Sequence, residues 1–351
     1  MKKPVTDIAA PLTAWYVQHE RSFPWRMNPS PYRVWVSEIM LQQTRIEAAL
    51  PYFERFMQAL PTIADLAAAP EDVLLKLWEG LGYYSRVRNL QKAAQTVMTE
   101  FGGELPASYE KLLTLPGIGE YTAGAIASIA FGKRAAAVDG NVLRVMARLT
   151  DDDTDVMQPK NRKRLTALVQ SIVPEGRAGD FNQGIMELGE TVCLPNAQPR
   201  CSQCPLWDYC AVAGLERARE LPTRTETKLR RVEKRTVYVI VTDDSPRKVL
   251  LRRRPPKGLL GGMWELPNVE SHYLGDVLSD WGVLADSVDR LPEAKHVFSH
   301  VEWHMTGYLV RAKSVIPKAG FQMVSKEELA GYALPTAFRT YSKLLLEEDV
   351  L

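Results

Sequence analysis

The hydrophobic pattern of this 351-residue chain changes period once, and the change falls in one short basic stretch. Upstream, "PYFERFMQAL", "EDVLLKLWEGL", "RVRNLQKAAQTVMTE" and "NVLRVMARL" place apolar residues three and four apart, the spacing of one helical face. Pro51, Pro61, Pro70, Pro106 and Pro116 punctuate the expected junctions between helices. Downstream, "TVYVIVT" and "KVLLRRR" are strand-like, and "HVFSHVEWHMTGYLVRA" is rich in β-branched and aromatic residues. "SKEELAGYALP" and "AFRTYSKLLLEE" read as helices. Between the two regimes, "TRTETKLRRVEKR" (223–235) carries six basic and two acidic residues and little apolar content. It reads as an exposed linker whose charge suits a phosphate backbone. One core rarely serves a chain this long. We therefore expect a mainly α region over 1–217, a linker over 218–235 and an α+β domain over 236–351. There is no internal repeat and no low-complexity segment.

A net charge of +2 does not by itself indicate nucleic acid, so that argument must come from local motifs. No apolar run approaches the length that crosses a bilayer. "MKKPVTDIAAPLTAWY" lacks the long apolar stretch of a secretory signal. The expected compartment is a reducing cytoplasm, where structural disulfides are rare. All four cysteines nevertheless fall in "CLPNAQPRCSQCPLWDYC": Cys193, Cys201, Cys204 and Cys210, with gaps of seven, two and five residues. The compartment disfavours disulfides. Zinc sites usually show two short pairs, and only one is present. A single four-iron cluster held by four thiolates fits one compact loop better, with zinc still open at this point.

Three further features carry chemistry. In "LPGIGEYTAGAIASIA" (115–130), Gly117 and Gly119 bracket a tight turn before an apolar helix. Glycines there permit positive φ and leave backbone N–H groups uncovered for a phosphate. A plain helix connection would look similar, but the preceding "SYEKLLTL" supports a helix–hairpin–helix clamp on a DNA backbone. Glu38 lies among Val36, Ile39, Met40 and Leu41, where desolvation keeps a carboxyl protonated and fit to act as a general acid. On the local pattern alone, a structural pairing with an arginine such as Arg45 is the favoured reading. Asp139, in "AVDGNVLRV", precedes a helix and is a natural N-cap. The N–H bonds of a cap would also keep it ionised, so the two roles are compatible.

Several stretches together carry a family resemblance: "FPWR" (23–26), "VSEIMLQQT" (36–44), "EGLGYYSRVRNL" (79–90), "LPGIGEYTAGAI" (115–126), "AVDGNVLRV" (137–145), the cysteine loop and "FSH" (298–300). They span nearly the whole chain, in the order found in the helix–hairpin–helix DNA glycosylase superfamily, and most closely resemble the adenine DNA glycosylase (MutY) family. The resemblance implies a helix–hairpin–helix glycosylase region with a [4Fe–4S] cluster on Cys193, Cys201, Cys204 and Cys210, followed by a Nudix-like domain. The first cysteine gap is one residue longer than the family's six, which an outward bulge between Cys193 and Cys201 would absorb.

The same resemblance assigns roles. Glu38 protonates N7 of a flipped adenine and then activates water. Asp139 stabilises the oxocarbenium-like sugar or bonds to it for a time. Tyr121 and Asn141 orient this site, and Arg26 and Gln183 surround the adenine. Gln43, Thr44, Leu81 and Tyr83 match residues beside the opposing base, although core packing also explains Leu81 and Tyr83. Endonuclease III-like lyases carry a Schiff-base lysine where Tyr121 stands, so base removal without strand cleavage is expected.

The C-terminal half resembles the family's Nudix-like domain. After "GLLGGMWELP", the segment "NVESHYLGDVLSDWGV" lacks the paired glutamates of a Nudix hydrolase, which implies binding rather than hydrolysis. Phe298, Ser299 and His300 match the loop that reaches 8-oxoguanine. His296, His300 and His304 recur every four residues; on one strand they would stand about 13 Å apart, too far to share an ion. The expected partner is double-stranded DNA with adenine opposite 8-oxoguanine or guanine, bound by a monomer in the cytoplasm, on the bacterial nucleoid. The rival readings are a bifunctional lyase, a non-catalytic damage sensor and a free-nucleotide hydrolase.

Overall fold

The structure, a computed structural model, describes residues 2–225, 229–270, 277–346 and 350. It divides into two compact units: Met1–Ala69 with Ser85–Glu226, and Pro70–Tyr84 with Thr227–Leu351. The segment 70–84, assigned from sequence to the helical region, thus groups with the C-terminal unit.

The first unit is helical. Its helix Pro31–Leu41 starts where Ser30 Oγ accepts the Arg33 N–H at 3.2 Å and Pro31 supplies a preset φ. Every residue from Val34 to Met40 is buried, which makes this the central helix of the unit. Pro51, expected at a junction, lies instead inside the helix Ile46–Ala59. Its ring faces solvent, while Ala49, Phe53 and Phe56 form the buried face. Helices Ala9–His19, Gly140–Thr150, Pro159–Ile172 and Ala178–Thr191 close around Leu12, Val142, Met146, Leu165, Phe181 and Ile185.

The hairpin joins Tyr109–Leu113, capped by Ser108, to Glu120–Ala125. Gly117 has φ +78° and lies against Asn89, where an added Cβ would sit 2.7 Å from Asn89 Cβ. Gly119 is different: its φ of −96° and ψ of −179° are ordinary extended backbone, so only Gly117 uses the freedom expected of both. The second hairpin helix runs into a π-helical turn, Ile126–Ala130, that the sequence pattern did not reveal.

The expected linker 218–235 is shorter than the sequence suggested. It begins inside a short helix, Arg217–Glu220, and a strand starts at Arg231. Residues 226–228 of that stretch lie outside the described residues.

The second unit contains a seven-stranded sheet: β1 (Arg231–Thr242), β2 (Lys248–Arg253), β3 (Trp264–Glu265), β4 (Asn268–Glu270), β5 (Val283–Val297), β6 (Val301–Val315) and β7 (Phe321–Ser325). The order is β3-β2-β1-β6-β5, with β4 also on β1 and β7 on β2. β1 and β6 are parallel and the other pairs antiparallel. Both faces of β1 are covered. Val237, Val239 and Val241 pack with Trp303, Phe338 and Tyr341, while Tyr238 and Ile240 pack with Leu250, Trp281 and Val310.

The histidine-rich stretch is a hairpin rather than one strand. His296 is on β5, His304 on β6 and His300 in the turn between them, where the Phe298 N–H donates to the Val301 carbonyl at 2.8 Å. "SKEELAGYALP" contributes only Lys326–Leu329 as helix, with a Ser325/Glu328 capping box. "AFRTYSKLLLEE" breaks into 3-10, α and 3-10 turns over Thr336–Phe338, Arg339–Ser342 and Lys343–Leu346. The glutamate-poor segment 268–283 lies partly outside the described residues, over 271–276.

Candidate active site

A cavity of about 680 Å³ opens in the first unit, and eight of the residues singled out from sequence line it: Arg26, Glu38, Gln43, Thr44, Tyr121, Asp139, Asn141 and Gln183. Glu38 sits three residues from the end of its buried helix and is 7% exposed. Its Oε2 accepts the Tyr121 hydroxyl at 2.5 Å, so it bonds to Tyr121 rather than pairing with Arg45. Burial pushes the Glu38 carboxyl up to about 7; the Tyr121 hydrogen bond opposes this, the Asp139 charge adds to it and Arg26 opposes it. Burial and the neighbouring Glu38 charge also hold the Tyr121 hydroxyl well above its ordinary range, so it remains a donor.

Asp139 is an N-cap, as the sequence suggested. Oδ1 accepts the Val142 N–H at 2.8 Å, and Oδ2 accepts Asn141 Nδ2 at 2.9 Å. Burial raises its pKa above the ordinary aspartate value, against the pull of those bonds and of Arg144. The cap alone therefore does not set the ionisation of Asp139, as sequence reasoning assumed. Arg144 extends the network: Nη2 donates to Asn141 Oδ1 at 2.8 Å, and Nε donates to the Cys193 carbonyl at 2.9 Å.

What delivers Asp139 to the cavity is a close approach that sequence reasoning missed. A Cβ on Gly124 would sit 2.0 Å from the Ala136 carbonyl oxygen, so only glycine lets segment 135–139 lie against the hairpin helix. Asn182, fully buried, fastens that segment. Its Nδ2 donates to the Ala135 carbonyl at 2.7 Å and to Ser128 Oγ at 2.8 Å, and its Oδ1 accepts the Ala137 N–H at 3.0 Å. A buried asparagine directly after an aromatic, Phe181, carries no pattern that marks this role.

The loop after the Glu38 helix is held by another residue outside the expected set. Arg86 Nη1 donates to the carbonyls of Ile39, Met40 and Gln42 at 2.8, 3.0 and 2.5 Å, satisfying the open end of the helix. This fixes Gln43, whose φ is +59°, and Thr44 at the cavity mouth. Arg26 donates from Nη2 to Glu187 at 3.0 Å and lies over the Phe23 ring.

The four cysteines surround a second, small cavity of about 30 Å³, with Arg148 and Trp207 also in its wall. None of the four forms a disulfide, and Arg148 Nη1 lies 3.2 Å from Cys193 Sγ. Burial pushes Cys204 up to about 12 and Cys210 up to about 11. Among the described residues, no three His, Cys, Asp or Glu side chains converge on a single metal-ion position.

The remaining sequence-derived residues belong to the second unit. Tyr83, at φ +47° and half exposed, shares a 2.8 Å hydrogen bond with Ser299 Oγ. Ser299 and His300 are exposed at the β5–β6 turn. Phe298 packs edge-on against Trp303 at 4.8 Å, and Trp303 is fixed by its Nε1 bond to Glu233 at 2.9 Å and by Arg235 over its ring at 4.2 Å. Leu81 is buried, in line with core packing rather than an exposed wedge.

Residues 36–174 match the family model for HhH-GPD superfamily base excision DNA repair proteins, and residues 236–344 match the NUDIX domain. Fold and site together define a base excision repair glycosylase with an appended Nudix-fold domain. The chain is 36% identical over 397 residues to adenine DNA glycosylase of Mus musculus, covering 95% of this chain and 77% of that protein. It is 31% identical over 299 residues to adenine DNA glycosylase of Buchnera aphidicola, covering 85% and 84% of the two chains. A solved thermostable thymine-DNA glycosylase aligns with 58% of this chain and 94% of its own, at TM-score 0.53 and 29% identity. The chain belongs to the adenine DNA glycosylases.

Proposed function

We propose that this glycosylase hydrolyses the N-glycosidic bond of adenine opposite 8-oxoguanine, and opposite guanine, and leaves the DNA strand uncut. The observation that carries the reading is the pairing of a Glu38 carboxyl raised to about 7 with a capped Asp139 in one cavity. A base cannot be reached inside the duplex, so the adenine is first turned out into this cavity.

Glu38 then gives its proton to N7. The glycosidic electron pair leaves with the base, and the Asp139 carboxylate stabilises the sugar cation. Glu38, now ionised, takes a proton from water as the water oxygen bonds to the anomeric carbon. Asn141 holds the Asp139 oxygen, and Arg26 and Gln183 are placed to meet the adenine edge. A lyase step would need an amine to form a Schiff base. Among the described residues no lysine lines the cavity, and Tyr121 offers only a protonated hydroxyl.

The cysteine cavity fits a [4Fe–4S] cluster. Its four possible donors are all sulfur, and they line one space. Cys193, Cys201, Cys204 and Cys210 would hold the cluster, which would serve as a structural brace for the loop after helix Ala178–Thr191. In this reading Ser299, exposed at the β5–β6 turn of the second unit, would distinguish the N7–H donor of 8-oxoguanine from the N7 acceptor of guanine. Nucleotide hydrolysis is disfavoured there, because the segment after "MWELP" lacks the paired glutamates of a Nudix hydrolase, and Glu265 itself is fully buried against Arg252 and Arg254, each at 2.7 Å.

The test is a labelled duplex with one adenine opposite 8-oxoguanine, incubated with the protein and then divided. Cleavage only in the half heated with alkali supports base removal without lyase action. Cleavage without alkali assigns the lyase type, and binding without cleavage in either half assigns a damage reader.

A further inference from the structure

Glu187 belongs to helix Ala178–Thr191, lines the active-site cavity and has a side chain only 1% exposed. A carboxylate so deeply buried is strongly unfavourable unless it is paired. Both of its oxygens are taken: Oε1 by Arg21 Nε and Oε2 by Arg26 Nη2 at 3.0 Å. Arg21 extends to Glu190 at 2.7 Å, and the Arg26 guanidinium also donates to the Arg21 carbonyl at 3.2 Å. Two arginines are thus drawn together around one acid, and one of them is the cation closest in effect to Glu38.

We infer that Glu187 is a positioning residue for the reaction proposed above: it holds the Arg26 guanidinium on the cavity wall and offsets its charge beside the catalytic acid. The inference rests on that functional reading. The charged and titratable groups facing Glu38 are Tyr121 from the hairpin helix, Asp139 from the cap of helix Gly140–Thr150, and Arg26 from the turn Pro24–Met27. Those around Glu187 are Arg21, Arg26 and Glu190, with Tyr16 and Glu20 on the adjoining wall. Without the Glu187 charge, Arg26 becomes an uncompensated cation in the cavity. A carboxylate at Glu38 is then its nearest relief, and the acid loses the proton it must deliver. Loss of the tether also frees Arg26 to leave the place where it meets the adenine.

The experiment measures single-turnover excision of adenine opposite 8-oxoguanine across the pH range around neutrality, for wild type, Glu187→Gln, Glu187→Asp, Arg26→Gln and the Glu187→Gln/Arg26→Gln double variant. Glu187→Gln should slow excision by about 10²-fold, the scale of a displaced active-site group. Its alkaline limb should move to lower pH. Glu187→Asp keeps the charge on a shorter arm, so its rate should fall while its limb stays in place. In the Arg26→Gln background, Glu187→Gln should add little further loss, because the residue acts through Arg26. A Glu187→Gln limb that stays at the wild-type pH overturns the inference, as do penalties that add in full. Wild type reports separately on the underlying reading, since failure of wild type to excise adenine would remove the proposed function itself.

Discussion

Tyr121 donates its hydroxyl to Glu38 across 2.5 Å, and this bond works against the burial that keeps Glu38 protonated. A donor to a carboxylate favours the anion. Replacing Tyr121 with Phe removes the donor and leaves the desolvation, so the Glu38 pKa should rise above about 7. The reaction needs the protonated acid. The alkaline limb of the single-turnover rate should therefore move to higher pH in Tyr121→Phe, and an unmoved limb would show that this bond does not tune the acid.

Glu38→Gln should cost about 10²- to 10⁴-fold in single-turnover excision, the usual range for loss of a general acid. The wild-type rate should fall as pH rises through about 7, where Glu38 loses its proton. It should also fall at low pH, as Asp139 takes one up; burial moves that limb above the ordinary aspartate range. In Glu38→Gln the alkaline limb should vanish while the acid limb stays. Binding of the same duplex, measured by gel shift, should change far less than the rate.

The helices around this site were legible because their apolar residues fall on one face, as in Ile46–Ala59 and Gly140–Thr150. The apolar run around Glu38 by itself favoured a structural ion pair and only the family resemblance marked it as an acid, whereas Asp139 was legible as a cap. Other features were hidden for physical reasons. Pro51 reads as a breaker because it lacks an N–H and crowds the carbonyl four residues back, yet the helix Ile46–Ala59 runs through it with the ring exposed. The β5–β6 hairpin turns at "FSH", which contains no Gly, Pro or Asn to mark it, so the residue pattern alone ran through it as a strand and only the family resemblance marked 298–300 as a loop. Arg86, Glu187 and Asn182 act through carbonyls, other side chains and a distant loop. Such partners are set by tertiary packing, and no local spacing encodes them.

Asn182 should matter for stability more than its distance from the reacting atoms suggests. Asn182→Ala leaves the Ala135 carbonyl and the Ala137 N–H without their buried partner. Each such loss costs about 1–3 kcal/mol. Thermal unfolding should shift down accordingly. Excision should also slow, because segment 135–139 carries Asp139. A variant with an unchanged melting temperature would show that the segment is held by Gly124 packing alone.

Ser299 and Tyr83 share a hydrogen bond of 2.8 Å in the second unit, and either hydroxyl can be the donor. Under the proposed function this bond bears on the base opposite the adenine, because 8-oxoguanine presents a donor at N7 where guanine presents an acceptor. A hydroxyl whose proton is already given to Tyr83 is left as an acceptor, which favours the oxidised base. Ser299→Ala should therefore lower the preference for 8-oxoguanine over guanine, by roughly 2- to 10-fold for one net hydrogen bond of about 0.5–1.5 kcal/mol. Tyr83→Phe should shift the preference in the same direction by a smaller factor, since Ser299 keeps its lone pairs but loses its orientation. The measurement is the ratio of single-turnover rates on matched duplexes that differ only in the opposing base. A ratio unchanged in both variants would place base discrimination elsewhere in the protein.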